Sequence, residues 1–169
     1  MWLLDVDGVL NAADPGWDGE PRQGRAVAYG VSYRVRWAPD LVGRIRQVHR
    51  SGTVEIRWAT TWVDEIGEIE RLLGLPRFPL AFSGLGTAPA VAAPGVKWRA
   101  ALDVVEVERR PLVWTDDAIP SLGRQLRRLG AGGLPVMLVA PDPFTGLQPE
   151  HLDAIEAFLR DPWAAVGDA

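Results

Sequence analysis

Leu3-Leu4-Asp5-Val6-Asp7-Gly8-Val9-Leu10-Asn11 joins an apolar run to two carboxylates set two residues apart, with a glycine directly after them. Met1 to Val6 has the nearly continuous apolar character of a central parallel strand covered on both faces. Successive strand side chains point to opposite faces, so Asp5 and Asp7 are expected on one side of the strand end while Val6 turns back into the core. Two like charges held that close need a cation or a shared proton between them. Gly8 lets the chain turn sharply where a side chain would block the site. Taken alone, Asp-x-Asp-Gly is as readily a solvated turn, and the rest of the chain has to supply the context.

That context is an alternation of strands and helices. Asp14-Pro15-Gly16 and Asp18-Gly19-Glu20-Pro21 are turn sequences. Val31, Tyr33, Val35 and Trp37 then alternate with polar residues, so residues 12 to 37 are expected to form a hairpin or flap over the strand end. Pro39 at a first helical position, Leu41, Ile45 and Val48 at helical spacing, and Gly52 as a stop predict a helix. Val54 to Ala59 is a strand. Trp62 to Leu73 is a helix closed by Gly74. A loop rich in Pro, Gly and Ala runs to Lys97, with Leu80-Ala81-Phe82 as a short strand inside it. Helix is expected from Trp98 to Val107, strand from Leu112 to Thr115, helix from Leu122 to Leu129, strand from Val136 to Val139 and helix from Pro149 to Leu159. The expected architecture is α/β, a Rossmann-like three-layer sandwich with a mostly parallel central sheet. The ends of its first, second and fourth strands meet at the carboxyl edge, where ligands of such sheets bind.

The opening segment resembles the first signature of the haloacid-dehalogenase-like (HAD) phosphohydrolases, an Asp-x-Asp-Gly-[Val/Thr]-Leu at the end of the first strand. Three further stations fall in that family's order. Thr60, after Val54-Glu55-Ile56-Arg57-Trp58-Ala59, resembles the Ser or Thr of the second. Lys97, opening Lys97-Trp98-Arg99-Ala100-Ala101-Leu102, resembles the Lys of the third. Asp116-Asp117, after Pro111-Leu112-Val113-Trp114-Thr115, resembles the double-Asp form of the fourth. The resemblance runs from residue 1 to about the last strand, and is greatest to the small HAD domains of Swiss army knife RNA-repair proteins and their stand-alone relatives.

The resemblance implies a Mg²⁺-dependent phosphohydrolase. Asp5 would attack phosphorus to form an aspartyl-phosphate, and Asp7 would protonate the leaving oxygen and later take a proton from water. The metal would be held by Asp5, the main-chain carbonyl of Asp7, and Asp116 or Asp117. Thr60 and Lys97 would bind the phosphate oxygens. Each residue also has a plainer reading. Thr61 rivals Thr60, Lys97 would be a solvated residue at a helix start where its charge opposes the helix dipole, and Asp117 would cap the following helix. Neither 12 to 37 nor 75 to 96 can bury a core of its own, so no separate cap domain is expected. Open sites in this family go with large or extended phosphorylated substrates. A polynucleotide-end phosphatase and a non-catalytic phosphate- or partner-binding module are the alternatives.

Composition fits one domain over residues 1–169. The 169 residues are 47% hydrophobic and 24% charged, ordinary for a globular chain. A net charge of −4 disfavours a protein that coats nucleic acid. The absence of Cys excludes disulfides, zinc-thiolate sites and thiol nucleophiles. No apolar stretch has the length of a membrane span, and the motif at residue 5 leaves no room for a signal peptide ahead of it, so a cytoplasmic protein is expected. His49 and His151 read as surface-helix residues and Arg124, Arg127 and Arg128 as a solvated basic face. Among eight Trp, those near element ends (Trp37, Trp62, Trp98) are the candidates to line a pocket and stack on a base or sugar, although core packing is the expected role for them.

Overall fold

The computed structural model describes residues 1–83 and 93–164. Four strands, β1 (Trp2–Leu4), β4 (Ile56–Trp58), β5 (Leu112–Thr115) and β6 (Val136–Val139), form a wholly parallel sheet in the order β4-β1-β5-β6. Between β1 and β4 come an antiparallel hairpin, β2 (Arg22–Ala28) and β3 (Val31–Trp37), and helix α1 (Pro39–Ser51). A short 3₁₀ turn (Val63–Glu65) leads into α2 (Ile66–Leu73) after β4. Helix α3 (Ala93–Leu102) continues as a π-helical stretch (Asp103–Val107) before β5. A 3₁₀ segment (Ile119–Leu126) and α4 (Arg127–Gly130) precede β6, and α5 (Pro149–Arg160) follows it.

The central strands β1 and β5 are buried on both faces and the edge strands β4 and β6 partly so, and alternation along them divides the core in two. Trp2, Leu4, Ile56, Trp58, Val113 and Val139 pack on one side with Leu41, Ile45 and Val48 of α1, Ile69 and Leu73 of α2, and Leu152, Ile155 and Phe158 of α5. Leu3, Leu112 and Trp114 pack on the other with Ala101 and Leu102 of α3 and Val104 and Val105 of the π stretch. A sheet covered on both faces is what the unbroken apolar strands require. At roughly 1.5–3 kcal/mol for each fully buried large apolar side chain, these two layers are the main favourable term in folding.

Local sequence signals account for most element ends. Pro39 starts α1, and Gly52, in the left-handed region at φ 69°, ends it with its N–H on the His49 carbonyl. Several expectations are modified. The strand expected over Val54 to Ala59 is Ile56–Trp58, and the helix expected over Trp98 to Val107 starts at Ala93 and turns π-helical at Asp103. Strand β1 is shorter than its apolar run because the chain leaves the sheet after Leu4. Leu80-Ala81-Phe82 is not a strand but a single bridge, with Leu80 beside Trp58 and both Trp58 backbone groups bonded to Pro79 and Ala81. The expected helix from Leu122 is broken at Gly123, whose φ of 49° and ψ of −118° no helix contains.

The expected flap is the hairpin, with irregular chain before it. Ala26, Ala28, Val35 and Trp37 face inward and join the core of the α1 side. Val31 and Tyr33 share that face but overhang the core, and both are exposed. Part of the Pro/Gly-rich stretch before Lys97 lies outside the described residues. No described helix is long and apolar enough to cross a membrane.

Candidate active site

Register alone brings the acids together. Leu4 pairs with Thr115 across β1 and β5, so the next residues, Asp5 and Asp116, leave adjacent strand ends together. The Asp5 N–H bonds to the Thr115 carbonyl at 3.1 Å, and the Ala59 N–H of the other neighbour bonds to the Leu4 carbonyl at 2.9 Å. Both carboxylates are buried, Asp5 at 3% exposure and Asp116 at 1%. Asp117, half-buried, completes a set in which one oxygen from each of Asp5, Asp116 and Asp117 lies within 4.8 Å of the others.

Lys97 sits in the middle of this group. It does not open its helix but lies inside α3, which starts at Ala93, so the unfavourable encounter with the helix dipole does not arise. Its ammonium donates to Asp5 Oδ2 at 2.5 Å and stands 2.9 Å from Asp116 Oδ2. Burial is the largest influence on Asp5, on Asp117 and on the lysine. It pushes Asp5 up to about 7, against the pull of Lys97 and with help from Asp116. Burial works against the Lys97 charge too, but Asp5 and Asp116 outweigh it and raise its pKa above the ordinary lysine value. Asp117 is raised by burial and by Asp116. One ammonium therefore faces three carboxyl groups, two buried and one half-buried, and burial disfavours full ionisation of the set.

Asp116 shows where that set is least satisfied. Its Oδ1 accepts the Ala118 N–H at 2.9 Å, closing the turn after β5. Its Oδ2 is buried with no hydrogen bond aligned on it, although the Lys97 ammonium is within ion-pair distance. A buried carboxylate oxygen without a donor is rare and costly. Hard oxygen donors gathered around it fit a divalent cation such as Mg²⁺.

Asp7 leaves in a different direction from Asp5. The Val6 carbonyl accepts N–H groups from Val9, Leu10 and Asn11, so the chain winds around it and strand alternation ends there. Asp5 goes into the buried cluster, whereas Asp7 is exposed. The Asp7 carboxylate is held by two donors, Asn11 Nδ2 on Oδ1 at 2.7 Å and the indole N–H of Trp62 on Oδ2 at 2.8 Å. Each oxygen keeps a second lone pair for another proton or donor. Gly8, at φ 69°, passes so close to Asp117 that a Cβ would lie 2.5 Å from its Cγ.

Thr60 is buried two residues past β4, and the Trp62 N–H reaches its Oγ1 at 3.4 Å. Thr61 is half-buried, and its carbonyl accepts the Tyr29 hydroxyl at 3.3 Å. The structure thus joins Asp5, Lys97 and Asp116 directly with Asp117 beside them, ties Asp7 to the β4 end through Trp62, and leaves Thr60 linked through the same residue.

Motif reading gives Asn11 no role and Trp62 only a place near a pocket, yet both hold the Asp7 carboxylate. Asn11 stands in the opening segment four residues from Asp7, which is a usable signal. For Trp62 the signal is its place near an element end, at the start of the turn after Thr60, but nothing in the sequence pairs it with Asp7. The other residues singled out are structural: His49 packs edge-on against Phe78, His151 Nδ1 accepts the Gln148 N–H at the start of α5, and Arg128 pairs with Glu106.

No protein-family model, curated protein or solved structure matches this chain.

Proposed function

We propose that the protein is a HAD-like, Mg²⁺-dependent phosphohydrolase working through an aspartyl-phosphate on Asp5. The observation that carries this reading is the buried cluster at the carboxyl edge, where Asp116 Oδ2 lacks an aligned donor and three carboxyl groups outnumber one ammonium. Asp5, Asp116 and Asp117 would hold the cation, together with the Asp7 main-chain carbonyl. When bound, it supplies the positive charge that lets an anionic carboxylate meet an anionic phosphate.

The protein's own groups divide the remaining work. Asp5, fixed by the Val6 N–H on Oδ1 at 2.7 Å and by Lys97 on Oδ2, presents an oriented oxygen to phosphorus. The bond from phosphorus to the leaving oxygen breaks as the aspartyl oxygen bonds, and Asp7 gives that leaving oxygen its proton. Water then attacks the phosphoryl group, Asp7 takes a proton back, and free Asp5 and inorganic phosphate result. Thr60 and Lys97 are the donors for the transferring oxygens. A solvent-exposed Asp7 beside a buried Asp5 suits this division, because the acid must meet leaving groups of varied size and the nucleophile must not.

Hydrolysis of para-nitrophenyl phosphate by the purified protein tests the reading. Turnover with Mg²⁺, abolished by EDTA and by Asp5→Asn, is the expected result. A protein silent toward a broad panel of phosphomonoesters with Mg²⁺ present would favour a non-catalytic module.

A further inference from the structure

The outward face of the hairpin carries Gln23, Arg25 and Val27 on β2 opposite Arg36, Arg34 and Ser32 on β3. Arg25 lies directly across from Arg34, and Arg36 follows two residues on, roughly 7 Å farther along the strand. Like charges placed opposite one another destabilise a strand pair. Carboxylates would normally relieve such a stack, but little relief is present. Arg25 donates to the Ser32 hydroxyl and carbonyl, and Arg34 donates to Gln23. Among the described residues the acid nearest the trio is Asp14, at 4.0 Å from Arg36 and itself exposed. The chain as a whole is acidic, so this positive face is local.

Two clefts run along this face. One, of about 300 Å³, is lined by Asn11, Ala12, Ala13, Arg34 and Arg36. The other, of about 440 Å³, is lined by Gln23, Gly24, Arg25 and Arg34, so Arg34 belongs to both. The first opens beside the acid. Asn11 donates to Asp7 and accepts the Arg36 N–H on its Oδ1 at 2.9 Å, while the Arg36 guanidinium holds the Ala13 carbonyl at 2.7 Å. A hydrogen-bonded path therefore leads from Asp7 through Asn11 to the main chain of Arg36, whose side chain lines the cleft with Arg34. Asp7 is the group that meets the leaving oxygen, so the leaving group must emerge on this side.

We infer that the arginine-lined clefts of the hairpin form a second anion subsite, which binds a further phosphate carried by the leaving group of the substrate. This rests on the phosphohydrolase reading, because that reading is what gives Asp7 its side of the reaction. The substrate class is a phosphomonoester with at least one more phosphate in the part that departs. Two sources have that chemistry, a small bisphosphate and a phosphodiester chain ending in a phosphate. Guanidinium groups suit either, since they bind phosphate oxygens in pairs.

The test compares wild type with Arg25→Gln/Arg34→Gln, which keeps polar side chains on the exposed face. Substrates are para-nitrophenyl phosphate, a hexose monophosphate, the matching hexose bisphosphate, and a phosphate-terminated oligothymidylate. Wild type should favour one of the last two over the monophosphate on the order of tenfold in kcat/KM, the worth of one charge-assisted contact. That preference should weaken with added salt and vanish in the variant, with para-nitrophenyl phosphate turnover unchanged. Whichever of the two is preferred identifies the source. Calorimetric titration of the same two ligands into Asp5→Asn protein, with and without the arginine changes, gives a readout independent of turnover. Weaker binding in the triple variant supports the subsite. Equal affinities, or a preference that survives the arginine changes, would overturn it while para-nitrophenyl phosphate turnover left the phosphohydrolase reading standing. Absence of turnover on every substrate would instead remove that underlying reading.

Discussion

The ammonium of Lys97 donates to Asp5 Oδ2 at 2.5 Å and lies 2.9 Å from Asp116 Oδ2, so one buried cation bridges the ends of two adjacent strands. Its position makes it both the local counter-charge of the folded state and a group able to face a phosphate. Lys97→Met keeps the length of the aliphatic chain and removes the charge, leaving Asp5 and Asp116 buried without compensation. Breaking one side of a buried pair typically costs about 3–5 kcal/mol. Chemical denaturation at neutral pH should show a loss of that order, partly recovered by added Mg²⁺ because binding to the folded state stabilises it. An unchanged midpoint would mean that the lysine does not balance these carboxylates.

Gly8 is required twice over. Its φ of 69° is strained for any other residue, by roughly 1–2 kcal/mol, and a Cβ there would collide with the Asp117 carboxyl, 2.5 Å away at Cγ. Gly8→Ala should therefore move Asp117 and weaken Mg²⁺ binding by calorimetry, beyond what its modest stability loss explains. Wild-type affinity in a folded Gly8→Ala protein would exclude Asp117 from the cation site.

The pH dependence of stability has a definite sign. Burial raises folded Asp5 from 3.8 to about 7, so between those values the folded state keeps a proton that the unfolded state has released. Unfolding then loses protons, and this contribution falls as pH rises from about 4 to about 7 and levels off above. Asp117, raised by burial, adds in the same sense. With EDTA present, the melting temperature of wild type relative to Asp5→Asn should drop across that window, and Mg²⁺ should reduce the drop. A difference that rises with pH would contradict the burial of Asp5 in the metal-free protein.

Trp62→Phe removes the indole N–H that fixes Asp7 Oδ2 and keeps most of the ring packed near Tyr33, 5.5 Å away between centroids. Losing a hydrogen bond to a charged group is worth about tenfold. Turnover of alkyl phosphates, which need protonation, should fall by about that factor, and para-nitrophenyl phosphate, with its good leaving group, should be affected less. Equal losses on both substrates would assign Trp62 to packing alone.

The sheet was legible because its strands are written as apolar runs. Leu112 to Thr115 and Val136 to Val139 have the boundaries their sequences predict, and Pro39 and Gly52 mark α1. Local signals failed where tertiary contacts decide. Gly123 interrupts a helical pattern, and Leu80 makes one bridge to Trp58 instead of a strand. In the site, the two-residue spacing of Asp5 and Asp7 implied a shared side, but the chain coils around the Val6 carbonyl and sends one inward and one outward. The lysine's bridge from Asp5 to Asp116 spans more than ninety residues of sequence, and no local pattern encodes it. The hairpin's alternation was visible in Val35 and Trp37, whereas its arginine face depends on the register that sets Arg25 opposite Arg34.

The central claim is covalent catalysis by Asp5, and trapping the intermediate tests it most directly. Wild-type protein turning over para-nitrophenyl phosphate with Mg²⁺ would be quenched in acid, digested and examined by mass spectrometry. A phosphoryl group on the peptide carrying Asp5, absent without Mg²⁺ and absent in Asp5→Asn, is the predicted result. Sustained turnover with no phosphorylated aspartate at any quench time, together with undiminished activity of Asp5→Asn, would contradict the account.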